Sequence, residues 1–261
     1  MAFRPRNWLD RMARQRAAQS WAKLCHNIEG IRPARLRYLR TEAVATRAQM
    51  DAFLLQSAER ALASRAELAA LPLPAGTDWR WRPEFLNAPV RKSGLIGPES
   101  GTKLTDGAAV WHDCVARALI LRQVRNVDAT DLSAYGLRSE AFGFTGSFLS
   151  LAIDLPPEVL VGLTLNHIIR LEIVAQTERA QNIYARLNIS NGPNIEETLR
   201  HLGEIRQGPA RAQVVEFDLA LTQMNEMRLD KIWLDLIFES PAMNAATIRE
   251  MVFSRHLRAN V

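Results

Sequence analysis

The feature that most constrains this chain is a run of strict alternation near its C-terminus. Within residues 230–239, one set of alternate positions carries four apolar side chains, Ile232, Leu234, Leu236 and Phe238. The positions between them hold a mixed set, Trp233, Asp235, Ile237 and Glu239. A period of two with branched and aromatic residues predicts a β-strand that buries one face. Pro241 ends this strand, and a second apolar run over 248–253 is predicted to return beside it as a hairpin.

The same alternation recurs through the preceding 120 or so residues. Strands are predicted over residues 110–115, 118–125, 137–144, 148–155, 168–176, 183–190 and 214–221. The third and fourth of these are predicted to pair as a hairpin, a turn is predicted at 191–194, and a short helix over 196–202. Strands joined by turns, mostly without helices between them, favour antiparallel sheets packed as a sandwich of jelly-roll type.

The N-terminal residues 1–72 have the pattern of helices instead. Asn7 is placed as an N-cap and Gly30 as a stop, while Pro33 and Pro72 bracket a second, longer helix. The two helices are predicted to form an antiparallel hairpin. The fold class is therefore mainly β with an α extension: a helical extension at 1–72, a Pro/Gly-rich ordered linker at 73–109 and a β-sandwich domain at 110–261.

The basic character of the chain belongs to its N-terminal part. Residues 1–40 hold ten basic and two acidic residues, a net charge of +8, whereas the rest of the chain has a net charge of −3. The first helix is thus basic and amphipathic, with the tryptophans Trp8 and Trp21, which is a pattern suited to an anionic surface. The alternative is that its apolar stripe packs on the second helix.

Composition excludes several classes of protein. Two cysteines, Cys25 and Cys114, cannot form a disulfide framework. No stretch approaches the roughly 20 apolar residues of a membrane span, and Asp10 and Arg11 interrupt any signal-peptide core near the N-terminus. The sequence therefore predicts a cytoplasmic protein without a transmembrane segment.

The sequence contains only weak indications of a catalytic site. His112, Asp113 and Cys114 are consecutive, so a strand places His112 and Cys114 on one face and Asp113 on the other, with no third group to orient a Cys–His pair. The histidines lack metal-ligand spacing, and no phosphate loop, HExxH or GxSxG is present. The sequence predicts no catalytic residue, no metal and no cofactor, and it favours a protein that is not an enzyme. One alternative stays open, a carboxylate pair among Glu172, Glu216, Asp218 and Asp235.

The polar faces of the predicted strands combine aromatic rings with amides, carboxylates and guanidinium groups. Sugar recognition needs both, because rings stack on the C–H faces of a sugar and polar groups bind its hydroxyls. The candidate ligand-binding residues are Tyr184, Arg186, Asn188, Asp218, Trp233 and Asp235. Further polar positions on these faces are Arg170, Glu172 and Glu216. The alternative is a solvated outer face whose charges pair across strands.

Five segments carry a resemblance to a known family. They read DWRWRP, GSFLSLAIDLP, ARLNISNGPN, VEFDLA and WLDLIFESPAMN. Together they resemble an uncharacterised bacterial family catalogued as a domain of unknown function, and this resemblance implies no activity. At the level of fold, the strand series is also similar to jelly-roll carbohydrate-binding modules. This likeness is one of architecture only, because one fold hosts many functions.

Three functions follow as hypotheses. The first is a non-enzymatic binding protein whose sandwich contacts a glycan or another polyhydroxy ligand. The second is an adaptor that forms a homo-oligomer through residues 1–72. The third is a peripheral protein whose basic first helix binds anionic lipid or nucleic acid.

Overall fold

The chain divides into two compact units, Met1–Ala58 and Glu59–Val261. The computed structural model describes residues 5–65, 68, 71–128 and 130–259, and their side chains outside 5–10 and 54–65.

Two helices make up the N-terminal part, α1 (Pro5–His26) and α2 (Pro33–Arg65). The first begins at Pro5 and not after Asn7, since the fixed φ of proline suits the first turn of a helix. A 3-10 turn over Ile28–Gly30 separates the helices, and α2 begins at Pro33 as predicted. No side chain in residues 11–53 is buried, and the antiparallel packing of the helices stays a prediction. None of the helices in the described residues is both long and apolar enough to cross a membrane.

Beyond the end of α2, the described part of the second unit forms thirteen strands and one short α-helix, α3 (Glu84–Asn87). The strands are β1 (Thr77–Trp81), β2 (Gly94–Ile96), β3 (Thr102–Thr105), β4 (Ala108–His112), β5 (Leu119–Arg125), β6 (Tyr135–Ala141), β7 (Leu149–Asp154), β8 (His167–Thr177), β9 (Gln181–Asn191), β10 (Asn194–Ile205), β11 (Arg211–Asp218), β12 (Leu229–Phe238) and β13 (Asn244–Leu257). The segment predicted as a linker thus supplies β1 to β3.

The strands form two sheets, and every pairing is antiparallel. The front sheet has the order β10-β9-β12-β7-β4-β3. The back sheet has the order β11-β8-β13-β6-β5-β2, and β1 pairs with the C-terminal half of β13. From β6 onward the chain crosses between sheets at nearly every connection, as in a jelly roll. The predicted mainly-β sandwich with a helical N-terminal part is confirmed.

Both predicted long hairpins are wrong. The strands β12 and β13 lie in different sheets, and so do β6 and β7. The turn after β12 contains two residues at positive φ, Ser240 and Met243. Through this turn the chain crosses from the front sheet to the back sheet. A turn in the sequence shows only that the chain reverses its direction. The next strand can pair within the same sheet or cross to the other sheet, and in both cases it buries the same apolar face in the core.

The predicted helix over 196–202 is also wrong, because these residues lie within β10. The predicted turn at 191–194 is confirmed, with Gly192 at φ +62° and Asn191 paired with Asn194. Once this tight turn has formed, the ladder to β9 continues through Glu196 and Glu197. The local helix preference of these glutamates yields to strand pairing.

The core lies between the sheets and is built from the alternating apolar sets. The predicted inward positions of β8, β9 and β12 are buried in full, which confirms them. Their members are Ile169, Leu171, Ile173, Ala175, Ile183, Ala185, Leu187, Ile189, Ile232, Leu234, Leu236 and Phe238. Alternation therefore leaves the odd-numbered positions of β12 on the outer face of the front sheet, and this face carries the candidate site.

Candidate functional site

Five of the six candidate ligand-binding residues lie together on the outer face of the front sheet. Tyr184, Arg186 and Asn188 alternate along β9, and Trp233 and Asp235 alternate along its neighbour β12. The register places Trp233 opposite Asn188 and Asp235 opposite Arg186.

Asp218 lies elsewhere. It ends β11 at the edge of the back sheet, where its carboxylate accepts a bond from the Ala220 backbone N–H and lies 3.1 Å from Arg258 Nε. Its role there is to cap the 3-10 turn that follows the strand. Alternation could not show this, because it does not state which sheet a strand joins.

A groove of about 750 Å³ runs along the outer face of the front sheet. Its walls and floor come from Gly101, Lys103, Asp106, Gly107, Ala108, Ala109, Trp111, Phe148, Ser150, Ala152, Asp154, Arg186, Lys231, Trp233, Asp235 and Ile237. From Lys231 to Ile237 it follows β12 for about 20 Å at 3.4 Å per residue. We call it the front-sheet groove.

The floor of the front-sheet groove is low because its side chains are small. One row across the sheet places Ala109 opposite Ala152, and Ala152 opposite Asp235. Two tryptophans rise on either side of this row, Trp111 opposite Ser150 and Trp233 opposite Asp154. Since Ser150 and Asp154 are four residues apart on β7, the two rings are offset by about 14 Å along the strands.

Trp111 is held in place by Gly101 and is 48% exposed. A Cβ atom at Gly101 would lie 3.3 Å from the Cη2 atom of the indole, so the missing side chain makes room for the ring. Trp111 is not among the residues predicted from sequence, although the alternation of β4 indicates it. Ala108, Val110 and His112 alternate inward, and this turns Trp111 outward.

Asp235 is the fixed polar group of the groove. Its Oδ2 atom accepts bonds from Nη2 and Nε of Arg186, at 2.9 and 3.2 Å, and from Nδ2 of Asn188 at 3.0 Å. Arg186 also lies 3.5 Å from Glu197. All three bonds go to Oδ2, so Oδ1 takes none of them. The carboxylate is 6% exposed and oriented before any ligand arrives.

A second ion pair lies at one end of the groove. Lys231 Nζ is 2.8 Å from Asp154 Oδ1 and 5.6 Å from the centre of the Trp233 ring. Tyr184 is not part of the groove lining, because its ring packs against His201 with centroids 4.8 Å apart. The aromatic platforms of the groove are therefore Trp111 and Trp233.

The triplet His112, Asp113 and Cys114 is used structurally. His112 Nε2 lies 2.9 Å from the Pro98 carbonyl, and Nδ1 accepts the Cys114 backbone N–H, so both ring nitrogens are occupied. The Asp113 carboxylate accepts the backbone N–H and the hydroxyl of Ser147. These bonds fix the turn between β6 and β7. In the described part of the chain, no three His, Cys, Asp or Glu side chains converge as a metal-ion site.

Cys114 lies between β4 and β5, and its buried thiol faces Thr145 of this turn. Burial raises the pKa of the thiol, but the backbone N–H groups of Ala118, Thr145 and Gly146 outweigh it and lower the pKa to about 7. Its neighbours are thus backbone amides and the Thr145 hydroxyl. Both ring nitrogens of His112, the adjacent histidine, are already used in other hydrogen bonds.

The outer face of the back sheet, like the groove, carries ion pairs between neighbouring strands. Arg170 pairs with Glu172 and Glu216, each at 2.9 Å. Arg138 pairs with Glu140 and Glu178, and Arg122 with Glu140. Burial raises the pKa of Glu140, but the two guanidinium groups beside it outweigh this effect and lower the pKa. Charges here satisfy one another across strands, as the alternative interpretation of the polar faces describes.

The comparison with family models decides the family. The model of a family of unknown function, DUF6478, matches residues 1–261. The chain belongs to DUF6478. No curated protein matches it, and the predicted resemblance to a family of unknown function is confirmed.

Solved structures resemble this DUF6478 protein in its sandwich. The CBM22-1 xylan-binding domain from Paenibacillus barcinonensis Xyn10C aligns with TM-score 0.38 and 8% identity over 64% of this chain and 94% of its own. The family 11 carbohydrate-binding module from Clostridium thermocellum, in complex with a β-1,3-1,4-mixed-linked tetrasaccharide, aligns with TM-score 0.39 and 8% identity over 59% and 92%.

A longer protein also resembles this DUF6478 chain. It comprises the CBM22-1–GH10 modules of Clostridium thermocellum endo-1,4-β-D-xylanase 10B complexed with xylohexaose. It aligns with TM-score 0.39 and 8% identity over 60% of this chain, which spans 27% of that chain. These likenesses concern the fold.

Proposed function

We propose that this protein is a glycan-binding protein and that the front-sheet groove is its binding site. One observation carries the proposal: two tryptophans, Trp111 and Trp233, flank a floor of small residues that contains one pre-oriented carboxylate, Asp235. Ligand sites combine apolar walls with a few fixed polar groups in this way.

The offset of the two rings favours an oligosaccharide over a single sugar. The rings lie about 14 Å apart along the strands and two strands, or about 10 Å, apart across the sheet. One sugar ring stacks on one indole, so both platforms are used only by a ligand of several rings. Between them, Oδ1 of Asp235 is placed to accept a sugar hydroxyl, and the Lys231–Asp154 pair offers a donor and an acceptor at the end of the groove.

The charges of the groove support binding rather than hydrolysis. A carboxylate pair that cleaves glycosidic bonds needs one member protonated as the general acid. In the front-sheet groove, Asp235 lies against Arg186 and Asp154 lies against Lys231. Each carboxylate is thus already paired with a cation, and we assign both as acceptors for hydroxyl groups.

The test is a glycan array on the full chain, followed by calorimetry of the strongest hits with Trp111→Ala. We expect this variant to weaken binding about tenfold or more, which corresponds to roughly 1.4 kcal/mol. It should keep its fold, because the ring is half exposed. Phe142→Ala is the matched control, since Phe142 is 47% exposed and lies outside the groove. An array without hits, or equal binding by Trp111→Ala, would contradict the proposal.

A further inference from the structure

Two further depressions adjoin the front-sheet groove at the turn between β3 and β4. The first has about 570 Å³ and is lined in part by Trp81, Val90, Arg91 and Lys92. The second has about 350 Å³ and is lined in part by Trp81, Pro156 and Leu160. All three cavities share the same residues, Asp106, Gly107 and Asp154.

The junction lies at the Trp233 end of the groove. Asp154 is opposite Trp233 in the sheet, and its backbone N–H donates to the Gly107 carbonyl at 2.9 Å. Gly107 lies at the same level along the strands as Trp233 but on the other side of β7, next to β4. A chain that lies along the groove from Trp111 towards this level therefore reaches the junction at Gly107. The first depression begins there, and Lys103 lines both cavities.

Gly107 keeps this junction low without being required by the fold. A Cβ atom at Gly107 would have the Asp154 carbonyl oxygen as its nearest neighbour, at 3.8 Å, which is ordinary contact. The residue does not adopt a positive φ. A side chain would thus fit the protein, and the space that it would fill is the passage between the cavities.

The first depression offers the same kind of groups as the groove. The Trp81 ring lines it and is held by Phe253, with centroids 5.6 Å apart. Arg91 and Lys92 are exposed at its border and supply hydrogen-bond donors. An aromatic surface with adjacent donors again suits a sugar ring with hydroxyl groups.

We infer that the binding site continues over Gly107 to Trp81, so that the ligand is a linear oligosaccharide longer than the front-sheet groove. This inference rests on the proposed glycan function. It adds a chain-length requirement, because rings that pass beyond the groove over Gly107 gain contacts in the first depression. Short oligosaccharides fill only the groove.

The experiment uses the full chain and calorimetry with β-1,4-linked xylose and glucose oligomers, from disaccharide to hexasaccharide. We expect affinity to keep rising beyond the trisaccharide. Gly107→Leu should remove most of this gain, about tenfold for the hexasaccharide, and should weaken the disaccharide and trisaccharide much less. Gly143→Leu is the matched control, because a Cβ atom there meets nothing within 4 Å and Gly143 lines none of these cavities.

A second variant keeps the inference testable if Gly107→Leu changes the fold. Lys92 lines the first depression but not the groove, so Lys92→Ala should weaken hexasaccharide binding alone. The extension is overturned if the hexasaccharide binds no tighter than the trisaccharide, or if both variants leave the gain intact. In either case the groove function survives. Absence of binding by every oligomer, together with an empty array, overturns the glycan function itself.

Discussion

At the scale of single residues, one side chain beside the groove keeps its position although this lowers the stability of the protein. Asn188 is 1% exposed and donates to Asp235, yet no described residue donates to its own buried Oδ1 atom. An unsatisfied buried polar atom lowers stability. Such an exception is typical of functional sites, where positioning is kept at the expense of stability. Under the proposed function, Asn188 would position the carboxylate of the groove.

The turn between β6 and β7 gives a prediction at this scale. A Cβ atom at Gly146 would lie 2.8 Å from the Cys114 backbone nitrogen and would also meet the Asp113 carboxylate. Gly146→Ala should therefore lower the free energy of unfolding by about 1–3 kcal/mol, as overpacking does. Gly143→Ala, three residues away in open space, should change it little. Denaturant titration of the two variants measures both effects, and equal stabilities would contradict the proposed packing of this turn.

At the scale of elements, alternation predicted which face of each strand is buried but not which sheet the strand joins. Arg186, Trp233 and Asp235 were therefore predicted to lie on outer faces, and they line one groove because β9 and β12 are neighbours. Asp218 follows the same pattern on β11, yet β11 pairs with β8 in the other sheet. Sheet partners depend on contacts between distant segments, and these leave no period in the sequence.

The short strands β1 to β3 were missed for a different physical reason. They have three to five residues each, too few to show a period of two. Their prolines and glycines instead indicated a linker. They are held by pairing with longer strands and, at the end of β1, by a buried ion pair.

This ion pair gives a prediction about how β1 is attached. Arg82 follows β1 and donates to both oxygens of Glu250, at 2.7 and 3.0 Å, where β13 has a bulge. Both side chains are at least nine-tenths buried. Glu250→Gln should cost about 3–5 kcal/mol of stability, because a buried guanidinium group loses its neutralising carboxylate.

Glu216→Gln is the matched control for this prediction. It breaks a similar pair with Arg170 on the exposed face of the back sheet, and exposed pairs contribute only about 0–1 kcal/mol. Denaturant titration of both variants gives the comparison. Similar small losses would mean that β1 is attached by its strand pairing alone.

At the scale of the whole molecule, the basic charge and the sheets belong to different parts of the chain. Residues 1–40 have a net charge of +8, and the remainder has a net charge of −3. Several large apolar side chains of α2 are exposed, Leu36, Tyr38, Val44, Met50 and Phe53. Self-association through residues 1–72, and binding of anionic lipid or nucleic acid by the first helix, stay predictions from the sequence.

The last prediction is that the second unit folds without the helices. Its core lies between its own two sheets, and the buried apolar residues of the described chain all follow residue 84. A variant lacking residues 1–72 should therefore unfold cooperatively, at a temperature close to that of the full chain. It should keep a strand-dominated circular dichroism spectrum and the near-ultraviolet signal of Trp79, Trp81, Trp111 and Trp233.

A variant lacking residues 1–58 is the control, since it begins at the boundary between the compact units. If the shorter variant loses the tryptophan signal while the control keeps it, residues 59–72 complete the fold. If both truncated variants lose the tryptophan signal, the helices are part of the folding unit, because the two sheets alone then do not form a stable core.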